Sequence, residues 1–306
     1  MTSATTATPA PGAGGQACWE QRQMMTRTTT LPGRQADDLV LAAKLTVPCL
    51  PGWMVARPRL DQRIAEGAGG PLTVVTGPPG AGKTTALASW AAGRVTPLRV
   101  AWVTLDEYDN QPGSFWSHVV KALRQAGVPL EETLPAPPHT PAGDRAFPPR
   151  LASALATLDP PLVLVLDDLH LLTAPKPLAE LAYVLRYARP GLRLVAAARI
   201  DPHFPLHRHR LAGELTEIRA ADLAFTAGEA DLLIAQHGLT LPAGTVNLIT
   251  ERVGGWAAGL RLAALSLDGH PDPGLFVKNL TAEDNALTSY LVDEVLDAQP
   301  PAQREG

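Results

Sequence analysis

The sequence predicts an α/β protein in which a parallel sheet flanked by helices is followed by an all-helical part. Three observations carry that prediction. A lysine-bearing glycine loop joins a β-branched run to a helix-prone run in Leu72-Thr73-Val74-Val75-Thr76-Gly77-Pro78-Pro79-Gly80-Ala81-Gly82-Lys83-Thr84-Thr85. Two largely apolar runs, 162–166 and 192–198, lack the alternation of a half-exposed strand and read as strands covered on both faces, the habit of parallel sheets. Beyond Leu223 strand-like runs stop and helical periodicity takes over.

In chain order, residues 1–37 are poor in large apolar side chains and rich in Thr, Pro and Gly, which predicts a disordered leader; Met24 or Met25 could be a truer start. An ordered approach then runs from Lys44-Leu45 through Trp53 to Val55-Ala56-Arg57-Pro58-Arg59-Leu60 and a short helix ending at Glu66. The strand before the loop is followed by a helix over 86–92 and a strand over 99–104. Ser114 opens a helix with Phe115, Val119, Ala122 and Leu123 on one face, closed by Gly127. Residues 128–149 hold seven prolines and read as an irregular surface excursion. Leu151, Leu155 and Leu158 mark a helix face, and the strand after it ends in Asp167-Asp168. A helix over 178–189 is stopped by Pro190-Gly191; the next strand ends at Arg199, and a short last strand covers 215–219.

These elements predict a nucleotide-binding core over 38–222. A helical lid domain is expected over 223–282, where Thr226-x-x-Glu229 is a capping box and Gly238 ends its helix. Further helices are expected at about 243–253, 256–267 and 283–298.

Composition excludes several classes. The 306 residues carry a formal charge of −4, so no general polyanion-binding surface is expected. Cys18 and Cys49 stand in no metal or redox spacing, which fits a reduced, cytoplasmic setting. No apolar run approaches the length of a membrane span, so no membrane partner is expected.

The loop has the Gly-x-x-x-x-Gly-Lys-Thr pattern of a phosphate cradle. Gly77, Gly80 and Gly82 are expected to take backbone angles other residues resist, turning N–H groups inward, with Pro78, Pro79 and Ala81 completing the turn. The helix after the loop points its positive end at the same phosphates, and Thr85 is counted with the nucleotide-binding residues. Lys83 would reach the β and γ phosphates, and the Thr84 hydroxyl would sit on Mg²⁺, so the implied ligands are ATP or ADP with Mg²⁺.

Asp167, ending a buried strand, is the expected Mg²⁺-holding acid. Asp168 would orient or deprotonate an attacking water, or else cap a turn. Arg199 would sense the γ-phosphate, or else be a surface arginine at a strand end. His170 reads as structural rather than catalytic. His203, His207 and His209, with Arg208 and Arg210, read as a solvated basic loop.

Six segments, in order, resemble the ATPase module of large ATP-binding LuxR-type transcriptional regulators. They are Lys44-Leu45 with Val55-Ala56-Arg57, the phosphate loop, Trp102-Val103-Thr104-Leu105-Asp106-Glu107-Tyr108-Asp109-Asn110, Leu166-Asp167-Asp168-Leu169-His170, Leu223-Ala224-Phe225-Thr226-x-x-Glu229, and Gly254-Gly255-Trp256-Ala257-x-Gly259-Leu260. Tyr290-Leu291-Val292-Asp293-Glu294-Val295-Leu296 is similar to the start of that family's winged-helix-like domain, which places 283–306 in a truncated third domain. The resemblance covers about 40–298 and implies a signal-transduction ATPase of the STAND class. In that class ATP against ADP sets an on or off conformation, turnover is slow, and the nucleotide is clasped between core and helical domain.

By the same resemblance Val55 and Arg57 pack on adenine, and Trp256 stands where related proteins carry a nucleotide-contacting proline. The family's sensor and helix-turn-helix domains are absent from the sequence, which implies a fragment or a truncated product. It also implies no direct DNA binding by this segment, with self-association in the ATP state as a further expectation. Two other classes stay open: a conventional P-loop enzyme such as a small-molecule kinase, and a non-hydrolysing nucleotide-bound interaction module.

Overall fold

Continuous apolar strands need cover on both faces, and the arrangement of helices supplies it. The computed structural model describes residues 42–93, 99–130 and 145–268. Strands β1 (Leu72–Thr76), β2 (Arg99–Thr104), β3 (Leu162–Asp167), β4 (Leu192–Ala198) and β5 (Leu215–Ile218) form one parallel sheet in the order β2-β3-β4-β1-β5. The register aligns the strand ends that matter: Thr104 pairs with Asp167, and Thr76 with Ala198. The phosphate loop, Asp167-Asp168 and Arg199 therefore leave the sheet at one carboxyl edge, where ligands of open α/β sheets bind.

Side chains alternate between the faces as the pleat dictates. Leu162, Leu164 and Leu166 of β3 enter a cluster with α3 (Ser114–Gln125), α4 (Phe147–Ala156) and α5 (Pro175–Tyr187). Val163 and Val165 enter the opposite cluster, with Leu60 and Ile64 of α1 (Pro58–Ala68) and Leu87 and Trp90 of α2 (Lys83–Ala92). Two short helices, α6 (Leu206–Leu211) and α7 (Ala220–Leu223), flank β5.

A third apolar cluster belongs to the helical part, α8 (Ala227–Gln236), α9 (Ala243–Arg252) and α10 (Ala257–Leu267), with Leu233, Ile234, Ile249 and Leu260 at its centre. Val55 joins this cluster, although it precedes α1 in the chain. Thr226 and Glu229 make both halves of the expected capping box at the start of α8.

Three helices have ends that clearly differ from expectation. The proline-rich excursion is not irregular to its end, because α4 already begins at Phe147. Pro148 and Pro149 fall in its first turn, where no N–H is needed and proline's fixed φ is pre-set for a helix. For the same reason α5 starts at Pro175 rather than 178, and it ends at Tyr187 rather than 189. Helix α2 starts at Lys83 itself, not at Ala86, so its first turn is the phosphate loop. The leader, the excursion over 131–144 and the helix expected over 283–298 lie outside the described residues. Among the described residues no helix is long and apolar enough to cross a membrane.

Candidate functional site

The loop closes by positive φ at two glycines. Gly80 (φ +67°) and Gly82 (φ +82°) hold the left-handed region, which L side chains resist. Gly77 departs from expectation, having no such φ. It is small because a Cβ there would lie 3.0 Å from Leu223 Cδ1 and 3.3 Å from Ala81 Cβ. Lys83 is buried, and its ammonium donates to the carbonyls of Gly77 (2.8 Å) and Pro78 (3.0 Å), arching back over the loop.

A polar cavity of about 230 Å³ opens against the loop. It is lined by Pro79, Gly80, Gly82, Lys83, Thr84 and Thr85, with Asp168 and Arg199 from the neighbouring strand ends. Asp167 lies beneath, 1% exposed. Its Oδ1 accepts the Asp168 backbone N–H at 3.1 Å, and its Oδ2 is buried with no hydrogen-bond partner. Burial, then the Asp168 charge, pushes its carboxyl up to about 6, with the Thr84 hydroxyl and Lys83 opposing. An orphaned carboxylate oxygen beside a threonine hydroxyl and a phosphate loop is a donor set that fits a hard divalent cation such as Mg²⁺.

Asp168 takes the left-handed conformation (φ +57°), which aspartate tolerates better than most residues. It stands at the N-cap of the short 3₁₀ turn Leu169–Leu171 but makes no side-chain capping bond, so the capping alternative has no contact to support it. His170 Nδ1 accepts the Arg199 backbone N–H at 3.4 Å and lies 4.0 Å from an Asp168 oxygen, joining the two strand ends. Burial, first of its causes, lowers the His170 pKa. His209 is stacked on Phe204, and burial likewise lowers its pKa.

The helical part meets the loop directly. The Trp256 indole N–H donates to the Pro79 carbonyl (2.9 Å), and the Ala258 backbone N–H donates to the Gly80 carbonyl (3.0 Å). Gly255, just before Trp256, lets two segments of the helical part meet closely, since a Cβ there would fall 2.6 Å from the Phe225 carbonyl oxygen. Pro78 and Ala81 line an apolar cleft against Leu223 and Trp256 rather than the polar cavity.

A second, mostly apolar cavity of about 400 Å³ lies between the core and the helical part. Val55 and Arg57 both line it, as do Gly80, Gly82, Thr85 and Ala86 of the loop and α2. Arg57 is largely tied up there. It donates to the Ala224 carbonyl (2.9 Å), pairs with Glu229 (3.1 Å) and lies 4.1 Å over the Phe225 ring. Gly80, Gly82 and Thr85 line both cavities, so a polar chamber and an apolar one meet at the loop.

Residues 59–196 match the family described as AAA ATPase domain. The chain has its phosphate loop and Asp167-Asp168 within the matched stretch. It is 33% identical over 267 residues to the HTH-type transcriptional regulator MalT of Cronobacter sakazakii, covering 85% of this chain and 29% of MalT. It is 32% identical over 263 residues to the serine/threonine-protein kinase PknK of Mycobacterium tuberculosis, covering 84% of this chain and 24% of PknK. The chain thus spans less than a third of these relatives. Among solved structures, the Walker-type ATPase PABY2304 of Pyrococcus abyssi superposes with a TM-score of 0.51 at 14% identity, covering 81% of this chain and 77% of that one. That is a likeness of fold.

Sequence reasoning did not find most of the apolar chamber. Trp53, Asp61, Ser89, Phe225, Arg261 and Leu265 line it. One signal was available for Ser89, which lies four residues beyond Thr85 and so shares its helix face. The Asp109-Asn110 pair of the longest matching segment lies elsewhere, holding loops together. Asp109 is fully buried and accepts from Lys44 (2.6 Å), bonding His118 as well, while Asn110 Oδ1 accepts the N–H groups of Thr173 and Ala174.

Proposed function

We propose that the ATPase domain is an ATP-binding, slowly hydrolysing switch module of a LuxR-type transcriptional regulator. The observation that carries this reading is the junction of the two chambers at Gly80, Gly82 and Thr85, which suits a nucleotide with phosphates on one side and nucleoside on the other. The loop N–H groups and Lys83 would hold the β and γ phosphates. Thr84 and Asp167 would hold Mg²⁺, which when bound offsets phosphate charge. Asp168 would orient the attacking water, and Arg199 would meet the γ-phosphate from the next strand.

The switch arises from the two hydrogen bonds between the helical part and the loop. A loop reshaped by phosphate changes the carbonyls that Trp256 and Ala258 grip, so each nucleotide state favours its own lid position. Domain limits of 38–222 and 223–282 belong to this reading, as do a cytoplasmic site of action, self-association in the ATP state and DNA contact made outside this segment.

Single-turnover hydrolysis, with hydrogen exchange in Mg·ATP and in Mg·ADP, tests the proposal. Slow release of phosphate with different protection of α10 in the two states is expected. Identical exchange in both states would overturn the switch, and tight ATP binding without turnover would favour a structural ligand.

A further inference from the structure

An apolar chamber holds a purine ring without distinguishing which purine it is, because discrimination needs a polar group that one base satisfies and another leaves unpaired. Besides the indole of Trp53, which can only donate, the polar side chains lining the chamber are Arg57, Asp61, Thr85, Ser89 and Arg261. Arg57 is engaged by Glu229, Ala224 and Phe225, and the Arg261 guanidinium lies 3.9 Å over the Trp53 ring. Thr85 is shared with the phosphate side. Asp61 is the one carboxylate among the lining residues.

Its place is fixed from two helices. Asp61 stands in the first turn of α1, and its Oδ2 accepts the Ser89 hydroxyl from α2 at 3.4 Å. A carboxylate offers about four acceptor positions, and this bond uses one. Ser89 lies six residues beyond Lys83, so at the rise of an α-helix it sits about 9 Å along α2 from the phosphate end. That is the end of the chamber where a base, rather than a ribose or a phosphate, is due. Burial raises the Asp61 carboxyl above its ordinary value, while the Ser89 bond and the Arg57 charge hold it down.

We propose that Asp61, positioned by Ser89, reads the 6-amino group of the purine and so selects adenine over 6-oxo purines. A carboxylate only accepts. The adenine amino group donates to it, whereas the O6 of guanine or hypoxanthine sets a second acceptor against a half-buried negative charge. This rests on the nucleotide-binding reading above and adds the identity of the base.

Calorimetry on the full chain with excess Mg²⁺ tests it, using ATP, ITP and purine riboside triphosphate, which lacks the 6-amino group. Purine riboside triphosphate should bind about tenfold to a hundredfold more weakly than ATP, the range of a charge-assisted hydrogen bond, and ITP more weakly still. In Asp61→Asn, whose amide can turn its donor toward O6, ATP and ITP should converge to within about threefold. Circular dichroism establishes that the variant is folded.

Wild-type ATP and purine riboside triphosphate affinities within about threefold of each other would overturn the assignment without reference to any variant. An equal loss for all three nucleotides in Asp61→Asn, with wild-type sensitivity to a 2′-deoxyribose, would assign the carboxylate to the sugar instead and equally overturn it. If the wild type binds none of these nucleotides, the nucleotide-binding reading itself fails, an outcome distinct from the other two.

Discussion

The two chambers of the site are built in opposite ways. The polar one draws six of its eight lining residues from a single stretch, Pro79 to Thr85, and the other two from the ends of adjacent strands. The apolar one gathers residues from 53–61, 80–89, 225–233 and 257–265, distant in sequence and brought together by packing of the helical part on the core. The first inherits its geometry from backbone conformation and strand register. The second exists only while the helical part is docked. On the proposed reading, the phosphate chemistry stands on the rigid sheet edge, and recognition that varies with state falls to a surface that can move.

The largest expected effect breaks the polar chamber alone. Asp168→Asn should lower the single-turnover rate by about a hundredfold or more, the range for a positioned acid–base group, while leaving Mg·ATP affinity unchanged. Asp167→Asn should instead abolish the Mg²⁺ dependence of binding. Equal effects of the two substitutions on affinity and rate would show that the neighbouring carboxylates have no separate roles.

Asp167 also sharpens the contrast through stability. Its folded carboxyl sits at about 6, above the ordinary 3.8, so the folded state holds the proton more tightly than the unfolded one. That preference stabilises the fold below about pH 4 and is lost as pH rises through 6. At pH 7.5 the ionised, buried group costs up to about 3 kcal/mol. In EDTA, Asp167→Asn should therefore melt higher than the wild type at pH 7.5, and the gap should close below pH 4. A lower melting temperature at pH 7.5 would mean that Oδ2 too has a partner in the free protein.

Lys83→Ala should weaken Mg·ATP binding about tenfold to a hundredfold or more with an unchanged circular dichroism spectrum. The apolar chamber does not compensate, since its two arginines are engaged by Glu229 and by the Trp53 ring. Unchanged affinity by calorimetry would place the phosphates elsewhere. The smallest effect is expected at the joint between the chambers. Trp256→Phe removes the hydrogen bond to Pro79 while keeping a ring, and should cost about 1 kcal/mol. Faster exchange of the α10 amides, with the β3 amides unaffected, is the expected readout. Equal loosening of both would mean that Trp256 supports the core as a whole.

Legibility in the sequence divides along the same line. The phosphate loop, the buried strand ending in Asp167-Asp168 and the capping box Thr226–Glu229 are local patterns whose backbone consequences are nearly independent of context. They could be read from residue type and spacing alone. The start of α4 at Phe147 is not legible from composition, because proline breaks a helix interior yet fits its first turn.

The sequence by itself determined the parallel sheet, the residues that stand at its carboxyl edge and the helical character of the described residues between Leu223 and Asp268. Only the tertiary structure decided that Val55 leaves the approach segment to join the helical cluster, that Trp256 grips the loop rather than open space, and that Asp61 and Ser89 face a common chamber. The reason is physical. A short motif fixes its own dihedral angles, but the walls of a cavity between two packed bodies depend on contacts across more than a hundred residues, and no local spacing encodes them.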